Sequence, residues 1–252
     1  MSTGRTAPAA AGPADAARAD AAETEAAAPA AQDTRARLID VAERLFAEFG
    51  IESVSLRAVG IEAGQRNNSA AQYHFGSKEG LISAIITARS RRVDARRAEL
   101  VDALRDSPEP PSFVALVNLL VMPLVDTITA SSGRTWYLRF LANVMEHPMV
   151  DSPWRPDQAS ASGTVSAALP DPPDPPGLRY MRKELRRLLP GLPNAEFERR
   201  NRWLVMTTFQ VLADYERQRA NAPAGRGPAL GQVISDLKEM LVALLRAPYP
   251  AD

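Results

Sequence analysis

Cysteine is absent from the 252-residue chain, and histidine occurs only twice, at His74 and His147. Without cysteine the chain forms no disulfide framework, no thiolate nucleophile and no cysteine-ligated zinc or iron–sulfur centre. Two histidines so far apart are also a poor basis for a metal site. We therefore expect no metal and no cofactor.

Net charge and a long apolar run are missing too. The 30 basic and 30 acidic residues cancel, which excludes a uniformly basic protein that coats nucleic acid and leaves only a local basic surface. The longest nearly continuous apolar run, residues 113–125, is shorter than the roughly 20 residues that a membrane-spanning helix needs. We expect a cytoplasmic protein with no membrane contact.

Large apolar residues are scarce in segment 1–32, which is rich in alanine and also contains three prolines. We expect a disordered tail there, because little in it can pack. A smaller helical domain at 33–80 and a larger one at 81–248 should follow. The proline-rich stretch 151–177 predicts a long loop within the second domain, with one short helix near 159–168.

Apolar residues recur at helical spacing in the rest of the chain, and no alternating strand pattern of useful length is present. In the first helix the apolar residues from Leu38 to Phe49 fall on one face, and Gly50 supplies the stop. Residues 113–128 are apolar all round, which predicts a central helix buried on several sides. The fold class is therefore all-α. The predicted helices span about 34–49, 55–64, 67–75, 78–104, 113–128, 136–145, 178–189, 194–219 and 229–246.

The first three helices have the spacing of a helix-turn-helix unit, with Ala63-Gly64-Gln65 as the turn between the second and third. The outward positions of the third helix carry short amide and hydroxyl groups rather than long charged side chains. Amides pair well with base edges, adenine above all. Two interpretations stay open on spacing alone, a helix that reads DNA and an ordinary polar surface.

Residues 34–80 carry as many acidic as basic side chains. Their DNA-facing side can still be positive, because Arg57, Arg66 and Lys78 should gather beside three helix N-termini, where partial positive charge collects. The acids would then occupy the back. The arginine group at 89–97 is either a solvated helix face or a contact with DNA or a second subunit.

Three motifs stand out within residues 33–86. They are a Phe-x-x-x-Gly that ends at Gly50, a Ser-x-Arg at Ser55 and the run Tyr73-His74-Phe75-Gly76-Ser77-Lys78. In this order they resemble the N-terminal domain of TetR-type transcriptional regulators. The resemblance covers about a fifth of the chain. It implies a DNA-binding domain followed by a helical ligand-binding and dimerisation domain, in an effector-responsive homodimer that most often acts as a repressor on double-stranded operator DNA.

The resemblance also implies roles for single residues. The contacts to the DNA backbone would come from Ser55, Arg57, Tyr73, His74 and Lys78. The exposed base-reading positions would be Asn67, Asn68, Ser69 and Gln72, with Arg66 beside them. This chain departs from the commoner pattern in two respects, since the turn before Tyr73 is one residue longer and Gln72 replaces a frequent aromatic.

Aromatic and sulfur-containing side chains concentrate after residue 135. They are either core residues or the lining of an effector pocket, since large aromatics and flexible methionines suit an apolar or aromatic small molecule. The set comprises Trp136, Tyr137, Phe140, Met145 and Trp154.

The last two helices carry more than one apolar stripe, which implies two packing partners. We expect the two helices from each of two chains to form a four-helix bundle at a homodimer interface. Its predicted residues are Leu204, Phe209, Val211, Val233, Leu237 and Leu244.

Catalytic motifs are missing from the sequence. There is no Gly-x-Ser-x-Gly elbow and no Gly-Lys-Ser/Thr phosphate loop, and the glycines at 225–231 follow no strand. We expect no enzyme but a sequence-specific transcriptional regulator, a repressor released from a palindromic operator by a small-molecule effector. The alternatives left open are a helical ligand-binding or enzymatic domain that does not use its N-terminal module, and an activator or adaptor.

Overall fold

The structure, a computed structural model, describes residues 32–67, 69–130, 135–146, 175–222 and 227–249. These residues contain helices and connecting turns but no strand, which confirms the predicted all-α class. The predicted tail, Asn68, His147, Trp154 and the predicted short helix near 159–168 lie outside the described residues. The helices are α1 (32–49), α2 (Leu56–Glu62), α3 (Ala70–Phe75), α4 (Lys78–Arg105), α5 (Phe113–Thr129), α6 (Tyr137–Glu146), α7 (Pro176–Leu188), α8 (Asn194–Asn221) and α9 (Leu230–Arg246).

Helices α1 to α3 form a small N-terminal unit. The predicted apolar face of α1 packs inward, and Leu38, Ala42 and Phe46 are fully enclosed. Phe49 is an exception, because it lies at the end of that face and is 61% exposed. The Ser55 hydroxyl caps α2 by accepting from the Ala58 amide at 3.1 Å.

The junction between α3 and α4 depends on two glycines. Gly76 ends α3 with φ +72°, a conformation that other residues adopt only at a cost. Gly80 lies in the first turn of α4, where an added Cβ would overlap the Phe75 carbonyl oxygen and approach its carbonyl carbon to 3.3 Å. The absence of a side chain at Gly80 therefore lets the end of α3 pack directly on α4.

Helix α4 joins this unit to the larger C-terminal one, where α5 lies at the centre. Most of α5 is buried, as the all-round apolar sequence predicted, with Leu116, Val117 and Ile128 fully enclosed. Around it pack α4, α7, α8 and α9, while α6 packs on α8. Helices α4, α6, α7, α8 and α9 therefore share one core with α5.

Helix α6 also contacts the N-terminal unit. The Phe140 ring stacks on the Phe46 ring of α1 with centroids 6.2 Å apart, and both side chains are fully buried. The Asn143 amide donates to the Phe46 carbonyl oxygen at 2.8 Å, near the end of α1. The two units therefore share a buried apolar contact and a hydrogen bond.

Candidate nucleic-acid interface

Helix α3 is held by a short apolar side and presents a polar one. Ala70 and Ala71 are buried, and Phe75 packs half-buried against the same core. Gly64, with φ +70°, forms the turn after α2, as the sequence predicted. Small residues on the inner side let α3 approach α2 closely, so its outer side stands clear of the unit.

The start of α3 differs from the sequence expectation. The helix begins at Ala70 rather than near 67, because Asn67 forms a turn instead. Its Oδ1 accepts from the Ser69 amide at 2.9 Å, and its carbonyl oxygen accepts from the Ala70 amide at 3.0 Å. Neither bond uses the amide N–H groups of the Asn67 side chain, which is exposed.

The polar residues that the sequence singled out on α3 are exposed. Ser69 and Gln72 both face solvent, and Tyr73 is 85% exposed. The Gln72 side-chain amide donates to the Gly76 carbonyl oxygen at the end of its own helix. A bidentate contact to adenine would need this local bond to open, so Gln72 offers its Oε1 acceptor first.

His74 and Tyr73 form an aromatic pair at the end of α3, with ring centroids 5.4 Å apart in an edge-to-face arrangement. His74 is half-buried, and its ring also lies 6.2 Å from that of Phe75. The pair therefore combines a packed, half-buried imidazole ring with an exposed phenol.

Lys78 has a structural role that the sequence reasoning missed. Its ammonium group donates to the carbonyl oxygens of Ile51 at 2.9 Å and Glu52 at 3.4 Å, in the turn after α1. An ammonium group has three donors, so one remains for a phosphate. Lys78 thus fastens the turn between α1 and α2 to the start of α4. The sequence signal that was available is the end of α1 at Gly50, because carbonyl groups at a helix end lack partners within the helix.

The arginines of the unit differ in their pairing. Arg57 and Arg66 are exposed, and neither has an ion-pair partner among the described residues. Arg44 of α1, in contrast, pairs with Glu48 at 3.3 Å and with Glu62 of α2. Arg57 and Arg66 are therefore available to an anionic partner, whereas Arg44 is neutralised within the unit. The guanidinium group of Arg35 lies over the Phe75 ring, 5.3 Å from its centroid, at the C-terminal end of α3.

The residues predicted to line an effector pocket occupy several environments. Phe140 and Tyr137 are core residues, whose rings stack at 6.4 Å, and burial raises the pKa of the Tyr137 phenol. Met145 is half-buried against the same core, and Trp136 is half-buried beside a cleft. Of these residues, Trp136 and Tyr137 line the cleft, whereas Phe140 does not.

The residues predicted for a dimer interface fall into two groups by their burial. Leu204 and Leu237 are fully enclosed within the single chain, so they belong to its own core and have no surface left for a second copy. The other four, Phe209, Val211, Val233 and Leu244, are half-buried. Two apolar side chains of α8 and α9 that the prediction omitted, Trp203 and Met240, are 44% and 49% exposed.

Every helix of the described residues is too short or too polar to cross a membrane. Among the same residues, no group of three or more histidine and acidic side chains is arranged to hold a metal ion.

The N-terminal unit is similar to known proteins. Residues 38–85 match the family model described as bacterial regulatory proteins, tetR family. The transcriptional regulator UidR of Escherichia coli K12, described as HTH-type, is 30% identical over 121 residues, or 48% of this chain and 56% of that protein. Its counterpart in Shigella flexneri matches equally. The chain thus spans about half the length of the curated relatives it matches.

Two solved structures are also similar. Salmonella enterica GusR superposes with a TM-score of 0.43 at 21% identity, over 85% of this chain and 96% of that one. A gamma-butyrolactone receptor, an ArpA-like protein, superposes with a TM-score of 0.42 at 20% identity, over 83% of this chain and 98% of that one.

Proposed function

We propose that the chain is a sequence-specific DNA-binding transcriptional regulator, because residues 38–85 match the tetR-family model. In this proposal it acts in the cytoplasm as a homodimeric repressor, released from a palindromic operator by a small-molecule effector. The observation that supports it most directly is the exposed amide and hydroxyl side of α3, held by buried alanines in a unit that also exposes Arg57 and Arg66. The proposed activity is binding, with no catalytic step.

Base reading is assigned to the short polar side chains at and before α3. Asn67, Ser69 and Gln72 would approach base edges in the major groove, where each base pair presents a distinct pattern of donors and acceptors. Ser55, Arg57, Tyr73 and His74 would contact the sugar-phosphate backbone and fix the register, as would Arg66 and the remaining Lys78 donor. Asn68, next to Asn67 in the sequence, is included among the base-reading positions.

Dimerisation is assigned to the outer side of α8 and α9. Trp203 and Met240 are large apolar side chains about half exposed in the single chain, and Val211, Val233 and Leu244 lie half-buried on the same two helices. Exposed apolar surface of this kind marks an association site. A twofold pair would place its two α3 helices in successive major grooves, about 34 to 36 Å apart.

Effector release would act through α4, whose first turn supports α3 and whose remainder packs on α5 and α7. A ligand that favours one orientation of α4 would change the distance between the two α3 helices. It can shift this equilibrium only by its difference in affinity for the two states, so tight binding alone does not release DNA.

Quantitative DNA binding tests this assignment. Fluorescence anisotropy with the intergenic DNA beside the chain's own gene, and with scrambled DNA, gives affinity and specificity together. Gln72→Ala should reduce discrimination by about 1 to 3 kcal/mol, whereas Arg57→Ala should weaken both DNAs evenly and lower the salt slope by about 1. Arg217→Ala, which alters an exposed arginine on α8, is the matched control and should change neither.

Two outcomes would contradict the assignment. Equal behaviour of Gln72→Ala and Arg57→Ala would remove the distinction between base reading and backbone contact. Failure of the unaltered chain to prefer any genomic fragment over scrambled DNA would favour a helical ligand-binding protein that does not use its N-terminal unit.

A further inference from the structure

A cleft of ≈ 640 Å³ lies where the N-terminal unit meets the C-terminal one. It is bounded by α1, α4, the end of α5 and the residues that begin α6. Because its walls come from both units, a molecule bound there would contact the N-terminal unit and the C-terminal core at once. The polar and aromatic side chains of the wall include Asp40, Glu43, Arg89, Arg92, Thr127 and Trp136.

Arg89 ties α4 to α1 across this cleft. Its Nε donates to Glu43 Oε2 at 2.6 Å, and its Nη2 donates to Asp40 Oδ1 at 2.6 Å. The two carboxylates differ in environment, since the Glu43 side chain is 7% exposed and that of Asp40 is 64% exposed. The Arg89–Glu43 bond is therefore protected from water, whereas an anion from solvent can replace Asp40 as the partner of the outer Arg89 donor.

Arg92 supplies a cation that the cleft does not neutralise. It is exposed and has no ion-pair partner in the described part of the chain. Arg96, one turn later on α4, is different because it pairs with Asp126 at 2.9 Å and Glu99 at 2.7 Å. Of the three arginines that line the cleft, Arg44 pairs with Glu48 and Glu62 and Arg89 pairs with Asp40 and Glu43, so Arg92 is the cation left for an incoming anion.

Trp136 supplies a flat apolar wall. The Arg139 guanidinium covers its ring at 4.2 Å from the centroid. Arg139 is itself buried and pairs with the buried Glu216, with Nε 3.5 Å from Oε2. Trp136 is half-buried and lines the cleft. The Trp136 end of the cleft therefore offers an indole ring that a buried cation supports.

We propose that this junction cleft binds a small organic anion that carries a ring, with its carboxylate on Arg92 and its ring against Trp136. The carboxylate competes with Asp40 for the outer donor of Arg89 and so loosens α1 from α4. Since α4 supports α3, binding lowers operator affinity. This regulatory consequence rests on the proposed function, whereas binding in the cleft does not.

Isothermal titration of the full chain tests the site directly, with benzoate as the anionic probe and benzamide as its neutral counterpart. We expect benzoate to bind in the millimolar range or tighter and benzamide to bind at least about ten-fold more weakly, because a charge-assisted hydrogen bond is lost. Arg92→Ala should weaken benzoate by a similar factor. Arg91→Ala, which alters the neighbouring exposed arginine outside the cleft, is the matched control and should bind benzoate normally.

Each contrary result has a distinct meaning. Equal benzoate affinity in Arg91→Ala and Arg92→Ala, equal binding of benzamide, or no benzoate binding overturns the site. Normal benzoate binding that leaves operator affinity unchanged overturns the regulatory consequence. A chain that binds benzoate through Arg92 but prefers no DNA refutes the proposed function and supports the cleft as an anion site.

Discussion

Replacement of Gly80 by alanine is the sharpest test of how α3 is oriented. The new methyl group would overlap the Phe75 carbonyl oxygen and lie 3.3 Å from its carbonyl carbon. This neighbour is backbone at the end of α3, so it cannot move aside as a flexible side chain can. Relief of the overlap must displace α3 relative to α4.

The expected cost follows from two opposing terms. Overpacking of a tight contact costs about 1 to 3 kcal/mol, and a backbone neighbour favours the upper part of that range. Alanine in place of glycine within a helix returns up to about 1 kcal/mol. We therefore expect a net loss of roughly 2 kcal/mol in the free energy of unfolding, which is more than a ten-fold change in the folding equilibrium.

Urea denaturation and operator binding measure the two consequences of Gly80→Ala. Because a displaced α3 loses base contacts worth about 1 to 3 kcal/mol each, operator affinity should fall at least ten-fold at temperatures where the variant is folded. Gly231→Ala, at a helical site where the added Cβ meets nothing within 4 Å, is the matched control and should be neutral or slightly stabilising. Unchanged stability and operator affinity in Gly80→Ala would refute the tight α3–α4 contact.

Three further predictions concern the C-terminal unit. Phe140→Ala should lower the free energy of unfolding by about 3 to 5 kcal/mol, because Phe140 is fully buried; a loss below 1 kcal/mol in urea denaturation would contradict its place in the core. Met240→Glu should yield monomers on a sizing column while Lys238→Glu does not, and an intact dimer would place the interface elsewhere. Burial, opposed by Thr135 and Arg139, raises the pKa of Glu216, so above the ordinary value of 4.5 the folded state retains a proton that the unfolded chain has lost. Stability should therefore fall as pH rises through this window, and denaturation of Glu216→Gln should show a shallower fall; equal slopes would contradict it.

Helix positions were largely predictable from the sequence, because amphipathic spacing and capping residues are local signals. Ser55 and Gly64 bound α2 where the sequence placed its start and stop. The start of α3 was predicted too early, since Asn67 can cap a helix or form a turn with its own backbone. In the structure the Asn67 side chain accepts from the Ser69 amide, and this bond stabilises the turn.

Long-range contacts were beyond sequence reasoning. Lys78 lies in a motif that indicates a phosphate contact, and nothing near it in the chain indicates the carbonyl oxygens of Ile51 and Glu52 that it binds. Apolar periodicity likewise identified Leu237 as buried without showing which partner buries it. The structure assigns that partner to the same chain, because Leu237 is enclosed without a second copy.

The arginines at 89–97 are a further example. Two interpretations were open from the sequence, a solvated helix face or a contact with DNA or a second subunit. In the structure Arg89 and Arg97 serve neither, since Arg89 bridges to α1 and the buried Arg97 donates to the Leu119 carbonyl oxygen at 3.0 Å. Charge density alone could not show which arginines turn inward.

The Asn143 bond to the Phe46 carbonyl oxygen, together with the Phe46–Phe140 stack, bears on how such proteins can be recombined. A chimera that keeps residues 32–80 and takes the remainder from a related protein would leave Phe46 facing an unmatched surface. A transplanted N-terminal unit should therefore be most stable when α6 is transferred with it. The unit that can be exchanged between proteins is thus discontinuous in sequence.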